Sequence, residues 1–288
     1  MKRLLILSGK GGTGKTTTAA AFLRFANAKA AADCDVDAPN LHIVHTMNSQ
    51  PGYSDFLGGE KAFIDAEKCV GCGLCLAHCR FQAIVHNKNH YQVDEIACEG
   101  CGVCEYICPQ KAVTLHTDVA GQQALYKEEG MVFSTAKLKM GRGNSGKLVT
   151  NVKIAMLKNA PECNLAVIDG SPGIGCPVIA SVSGVDLALV VAEPSLSGIS
   201  DLKRLVKTAG TLQTKLAVCV NKWDVSPENT KAIEVFCQEQ DIPFLGKVPY
   251  DKAASAAINA GKSLADMDCP ARDALYKIYQ KTSEVLGI

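Results

Sequence analysis

S-G-K-G-G-T-G-K-T-T, residues 8–17, sets one lysine on each side of a glycine-rich loop. Ahead of it, the apolar run at 3–8 reads as a buried strand. Behind it, T-T-T-A-A-A-F-L-R-F-A-N-A reads as a helix. Strand, loop and helix in that order are the setting in which G-x-x-x-x-G-K-[ST] binds phosphate, and residues 9–16 fit the pattern. The amides of Gly11, Gly12, Thr13 and Gly14, with those of Lys15, Thr16 and Thr17 at the helix start, would cradle phosphate oxygens. Lys15 would reach the β- and γ-phosphates, and the Thr16 hydroxyl would ligate Mg²⁺. Such a loop needs one lysine, so Lys10 calls for a separate explanation.

The rest of the chain repeats the strand–helix alternation. A-A-A-D, ending at Asp33, is a short second strand, and the runs at 165–170, 186–193 and 216–222 have strand length. Their unbroken hydrophobicity predicts strands covered on both faces, as in a parallel sheet. Helical spacing is read over 199–209, 227–240, 252–260 and 270–286. The predicted fold class is therefore α/β, a doubly wound, mostly parallel sheet. Apolar residues make up 47% of the 288, enough for a buried core, and the net charge of +1 argues against nucleic acid or an anionic membrane as partner. No apolar stretch approaches the ~20 residues of a membrane helix. The N-terminal apolar run ends at the glycine loop, unlike a signal peptide. The expected location is the cytoplasm.

Eight of the fourteen cysteines lie between Cys69 and Cys108. Cys69, Cys72, Cys75 and Cys79 recur as Cys98, Cys101, Cys104 and Cys108, every position offset by 29. In a cytosolic chain of this size such clustering predicts metal ligands over disulfides. Each half reads C-x2-C-x2-C-x3-C, the spacing of bacterial two-cluster ferredoxins. On that resemblance the fourth cysteine crosses over. Cys69, Cys72, Cys75 and Cys108 would hold one [4Fe–4S] cluster, and Cys98, Cys101, Cys104 and Cys79 the other. The second half ends in Cys108–Pro109, as that ferredoxin type does; the first ends in Cys79–Arg80, which removes no ligand. The expected domain map is a P-loop domain of 1–60 and 118–288, interrupted at 61–117 by a small α+β ferredoxin-like domain dependent on its clusters for folding. The stretch 139–147, rich in glycine and polar residues, is read as a loop.

The form K-G-G-x-G-K-[ST] resembles the deviant Walker A loop of the MinD, ParA and nitrogenase iron protein group. In that group the extra lysine reaches across a dimer to the partner's ATP phosphates, so Lys10 implies a homodimer sandwiching two nucleotides. The likeness extends to further segments. A-D-C-D-V-D-A-P-N-L, 32–41, looks like switch I, with Asp35 orienting the attacking water, Asp33 supporting Mg²⁺, and Asp37 and Asn40 as further switch residues. V-I-D-G-S-P-G, 167–173, matches the Walker B strand and switch II, with Asp169 holding Mg²⁺ through water. V-N-K-W-D, 220–224, resembles the adenine-recognition segment, with Asn221 as base contact, and Pro249 in V-P-Y-D would line the same pocket. Cys176 follows Asp169 by seven residues, the spacing of a cluster-ligating cysteine in the nitrogenase iron protein. Two such thiols would face each other across a dimer and bridge a metal or cluster; the other reading is a small packed side chain. Cys34, Cys219 and Cys237 read as core.

The implied cofactors are ATP or ADP, Mg²⁺ and two [4Fe–4S] clusters. The leading function is an ATPase coupling hydrolysis to electron transfer toward a protein partner. The alternative is a maturation ATPase that inserts a metallocofactor. A ParA/MinD-type positioning switch ranks last, because the C-terminal helix has mixed charge and no basic face.

Overall fold

The computed structural model describes residues 1–45, 47–87 and 90–288. Its strands are β1 (Lys2–Leu7), β2 (Ala30–Asp33), β3 (Gly52–Ile64), β4 (Ile84–Asn87), β5 (His90–Val93), β6 (Val113–Glu128), β7 (Met131–Leu138), β8 (Leu165–Asp169), β9 (Leu187–Ala192), β10 (Leu216–Asn221) and β11 (Phe244–Val248). The α-helices are α1 (Lys15–Phe25), α2 (Leu41–Val44), α3 (Leu74–His78), α4 (Val103–Ile107), α5 (Ser145–Asn159), α6 (Cys176–Val182), α7 (Leu196–Thr211), α8 (Pro227–Glu239), α9 (Lys252–Asn259) and α10 (Pro270–Leu286). The larger sheet runs in the order β11-β10-β9-β1-β8-β2-β7-β6-β3. Neighbouring strands from β11 through β7 pair in parallel.

The chain forms two compact units. The first comprises Met1–Ser54, Gln123–Lys137 and Ser145–Ile288. Every residue of β8 and β9 is buried, so their apolar runs face helices on both sides of the sheet. The C-terminal helix α10 places Leu275, Ile278 and Leu286 on one buried stripe at helical spacing. Phe22 of α1 meets Tyr279 of α10 edge-on, with ring centroids 5.3 Å apart. Each such buried Leu or Ile contributes ~1.5–3 kcal/mol, which accounts for a helix docked on the domain. No α-helix among the described residues is long and apolar enough to cross a membrane.

The second unit comprises Asp55–Gln122 and Leu138–Asn144. It holds the antiparallel pair β4–β5 and the short helices α3 and α4, which begin after Gly73 (φ 78°) and Gly102 (φ 79°) in left-handed conformation. The 29-residue repeat is visible in the backbone. Cys69 N donates to Asp65 O (3.0 Å), and Cys98 N to Asp94 O (2.9 Å). Gly100 permits a close approach: a Cβ there would collide with the Glu60 carbonyl.

Two features depart from the sequence expectation. β6 and β7, joined through Glu129 and Gly130, form a hairpin that the strand–helix alternation does not predict. The loop expected at 139–147 ends at Asn144, where α5 begins.

Candidate functional site

In the first unit, the strands deliver polar residues to their C-terminal ends, where open α/β sheets bind ligands. Ser8 follows β1, Asp33 ends β2, Asp169 ends β8, Glu193 follows β9, Asn221 ends β10 and Pro249 follows β11. Between them lies a cavity of ≈ 620 Å³ whose wall includes Gly11, Gly12, Gly14, Lys15, Thr16, Thr17, Asp35, Asn221 and Pro249. All nine are residues expected to serve the nucleotide. Asp37, Asn40, Ser171 and Tyr250 share the wall.

The loop is braced from outside. Asn221 Nδ2 donates to Thr13 O (2.7 Å), and Lys222 Nζ to Gly12 O (3.3 Å). Gly14, at φ 96°, could carry no Cβ, because that atom would meet the Asn221 amide. Thr13 is 3% exposed, and its Oγ1 is a buried atom with no hydrogen-bond partner. A buried hydroxyl without a partner is costly; Thr13 lines a small pocket with Gly9, Lys10 and Glu193 and not the main cavity.

Inside the loop, Lys15 is 6% exposed and Asp169 is fully buried. Lys15 Nζ lies 2.6 Å from Asp169 Oδ1 and 3.7 Å from Asp35 Oδ2. Thr16 Oγ1 donates to Asp169 Oδ2 at 2.6 Å. Two carboxylates, Asp35 and Asp169, thus flank one ammonium, an anionic excess that fits a divalent cation. Thr16 and Asp169 are the residues that would hold Mg²⁺. Burial alone would lower the Lys15 pKa, but Asp169, then Asp35 and Asp33, outweigh it and raise the net value. Burial raises Asp35, with Lys15 opposing.

Asp33 plays a part the sequence did not disclose. Its Oδ1 accepts from Asp35 N (3.0 Å), and its Oδ2 from Asn40 N and Leu41 N (3.0 Å each). It organises the 34–41 turn, so its Mg²⁺ role would be indirect. Burial, then the Asp169 charge, pushes its carboxyl up to about 7 from 3.8. The folded chain therefore binds more protons than the unfolded chain between those values, and Asp33 makes folding more favourable as pH falls through that window. Nucleotide-free protein should gain thermal stability between pH 8 and 5.5 relative to Asp33→Asn. Differential scanning calorimetry of both chains checks this; parallel pH curves would refute it.

Lys10 is held by its own chain. Its Nζ is 2.5 Å from Glu193 Oε2 and 3.3 Å from both Ser195 Oγ and Ser197 Oγ. Lys222 Nζ shares Glu193 at 3.7 Å. Glu193 is depressed below the usual glutamate range by its hydrogen bond to Lys10, with Lys222 adding to the effect. Glu193 and Lys222 escaped the sequence reading. The available signal was a charged residue directly after a buried strand, and the lysine beside Asn221.

In the second unit, one small cavity of ≈ 20 Å³ is lined by Cys69, Cys72, Cys75 and Cys108. A second, also of ≈ 20 Å³, is lined by Cys79, Cys98, Cys101 and Cys104. Each therefore carries one of the crossed quartets. Among the described residues no three His, Cys, Asp or Glu side chains are grouped to hold a single metal ion. Thiolates that bind different irons of one cube line a cavity instead of converging on a point, and the donor set fits such a cube. Backbone amides point at the sulfurs in repeat-related fashion: Ala83 N to Cys79 Sγ and Ala112 N to Cys108 Sγ, both 3.3 Å. Burial raises the Cys75 and Cys104 thiols.

Cys176 is exposed at the first residue of α6. Cys34, Cys219 and Cys237 are buried, as expected, and Cys269 is buried with them.

A family model described as CobQ/CobB/MinD/ParA nucleotide binding domain matches residues 4–264. An uncharacterized protein of Methanocaldococcus jannaschii is 30% identical, covering 99% of this chain and 97% of its own. An iron-sulfur cluster carrier protein of Pyrococcus abyssi is 22% identical, covering 97% of this chain and 84% of its own. Among solved structures, the cell division ATPase MinD of Pyrococcus furiosus is similar with a TM-score of 0.58 at 16% identity, over 99% of both chains. The septum site-determining protein MinD of Pyrococcus horikoshii, complexed with Mg-ADP, gives 0.56 at 16% identity, over 99% of this chain and 97% of its own. At those identities the likeness is one of fold.

Proposed function

The chain belongs to the CobQ/CobB/MinD/ParA nucleotide-binding family, and from that premise we propose that it is an ATP-hydrolysing iron–sulfur protein whose nucleotide-driven homodimer couples hydrolysis to electron transfer. The observation that carries the redox half is the pair of cavities, each walled by four cysteines from both halves of the repeat. The ferredoxin-like segment, 61–117, lies wholly inside the second compact unit. Two [4Fe–4S] clusters, when bound there, supply one-electron chemistry at low potential.

The chain's own residues do the rest. Loop amides and Lys15 bind and orient the ATP phosphates, and Thr16 and Asp169 hold Mg²⁺. Asp35, 3.7 Å from Lys15, is placed to accept a hydrogen bond from water attacking the γ-phosphate. Asn221 and Pro249, both in the cavity wall, would contact the base. Lys10 leaves Glu193 and meets the partner's phosphates when two nucleotide-loaded chains face each other, adding positive charge where the transition state develops negative charge. The Ala83, Ala112, Gly100 and Ala62 amides directed at cysteine sulfurs stabilise thiolate charge, a lever on cluster potential.

The second reading is a cluster or cofactor carrier. It is favoured by the name of the P. abyssi relative and by the exposure of Cys176. An anaerobic, EPR-monitored redox titration of iron-loaded protein, with and without MgATP, separates the two. A midpoint shift on ATP binding is the expected result. Unchanged potentials, with cluster transfer to an apo-acceptor and loss of that transfer in Cys176→Ser, would overturn it in favour of the carrier.

A further inference from the structure

Helix α5 touches both ends of α6. At the near end, a Cβ on Gly146 would lie 3.2 Å from Cys176 O and 3.3 Å from Cys176 Cβ, so the helices are in close contact there. At the far end, two turns along α5, Lys153 is 7% exposed. Its Nζ donates to Ala180 O (2.8 Å), Ser181 O (2.7 Å) and Ser183 O (2.6 Å). A buried ammonium on the last carbonyls of a helix is a strong local tie. Helix α6 follows directly on the 170–175 segment after Asp169, the part of the chain that would answer to Mg²⁺ and the γ-phosphate. Helix α5 therefore holds α6 at two points.

Along the chain, Asn144 is the last residue of the second unit and Ser145 is the first residue of α5. The preceding residues are fastened within the second unit. Arg142, whose side chain is 14% exposed, donates from Nη1 to Glu95 O and from Nη2 to Glu95 Oε2, both 2.8 Å. Its Nε stands 3.2 Å from Asp118 Oδ2. Asn144 Nδ2 donates to Gly58 O, and Lys139 N to Ala120 O. A Cβ on Gly141 would lie 3.1 Å from Ile96. Glu95 and Ile96 belong to the turn that sets Cys98, whose N–H is fixed by Asp94 O. The Glu95 carboxylate and carbonyl are therefore held by a residue three positions before the start of α5.

We propose that Lys153 and Arg142 are positioning residues that transmit the nucleotide state, through α6, α5 and the 138–144 segment, to the cysteine quartet of Cys79, Cys98, Cys101 and Cys104. Lys153 ties α6 to α5, and Arg142 ties the entry of α5 to the Cys98 turn. This rests on the proposed redox function, and it selects one of the two quartets as the responsive one.

The test uses the full iron-loaded chain as wild type, Lys153→Met, Arg142→Ala, Arg142→Lys and Glu95→Gln. Midpoint potentials are measured with and without MgATP, beside iron content and ATP hydrolysis. Hydrogen exchange of 138–144 is followed on nucleotide addition. In wild type, MgATP shifts one of the two potentials and changes protection at 138–144. Lys153→Met and Arg142→Ala lose the shift while keeping iron and hydrolysis within about twofold, and Arg142→Lys, with a cation still in place, retains part of it. Glu95→Gln, a milder change, diminishes the shift without loss of iron. A shift of wild-type size in both Lys153→Met and Arg142→Ala overturns the inference. If wild type shows no shift, the redox coupling itself fails. Exchange then decides the mechanical link: a nucleotide response at 138–144 that Lys153→Met abolishes sustains it, and no response refutes it.

Discussion

Lys15→Met should lose MgATP hydrolysis by ~10³-fold or more and lose measurable nucleotide affinity, whereas Lys10→Ala should keep affinity within a few-fold and lose hydrolysis by ~10²-fold. The two lysines flank one loop but stand in different places. Lys15 is buried against Asp169 at 2.6 Å, inside the cavity. Its removal deprives the phosphates of a charge and leaves a fully buried carboxylate unpaired. Breaking such a pair by deleting one partner costs about 3–5 kcal/mol, so the nucleotide-free variant should also melt well below wild type. Lys10 is half-exposed and held by Glu193 outside that cavity. Its loss leaves no buried charge behind, and its melting temperature should stay near that of wild type. Isothermal titration with a non-hydrolysable ATP analogue, steady-state phosphate release and calorimetry on the two variants check this. Normal turnover in Lys10→Ala would remove the case for a sandwich dimer, in which Lys10 is the residue that meets the partner's phosphates.

What could be read in the sequence follows from how far apart the cooperating residues lie. The phosphate loop, the acidic turn after β2 and Asp169 were legible because each motif sits next to an apolar strand end, and the parallel sheet brings strand ends together. The cysteine repeat was legible because its spacing carries the chemistry. Lys10 was assigned a partner on another chain, and its intrachain partner was missed. Ser195 is 185 residues away, and only the β1–β9 pairing brings the two segments side by side. A carboxylate after a strand invites a cation-supporting role for Asp33, and nothing local announces that three backbone amides will occupy it. The start of α5 is hidden by glycines that locally resemble loop. There Gly141 admits Ile96 and Gly146 admits Cys176, contacts with residues distant in sequence.

The pairing of cysteines with cavities leads to a second large effect. Cys108→Ala should lower iron from about eight to about four atoms per chain, and the cluster lost should be the one bound by Cys69, Cys72 and Cys75. Cys108 follows Cys98, Cys101 and Cys104 in the chain, yet it lines the other cavity. Double variants tell the assignments apart by non-additivity. If the quartets cross, Cys108→Ala with Cys72→Ala strikes one site twice and keeps about four irons, while Cys108→Ala with Cys101→Ala strikes both and keeps almost none. If each half of the repeat holds its own cluster, the two outcomes exchange. The second unit has a small apolar core formed by residues such as Ile64, Ile84 and Val113, with cysteines packed against it. Cluster binding should therefore supply much of its folding energy, so the variant that loses both clusters should also lose protection from proteolysis over 55–122 while the first unit stays resistant. Iron and acid-labile sulfide analysis with limited proteolysis reads both effects. Retention of about four irons in the Cys108→Ala, Cys101→Ala chain would reject the crossed assignment.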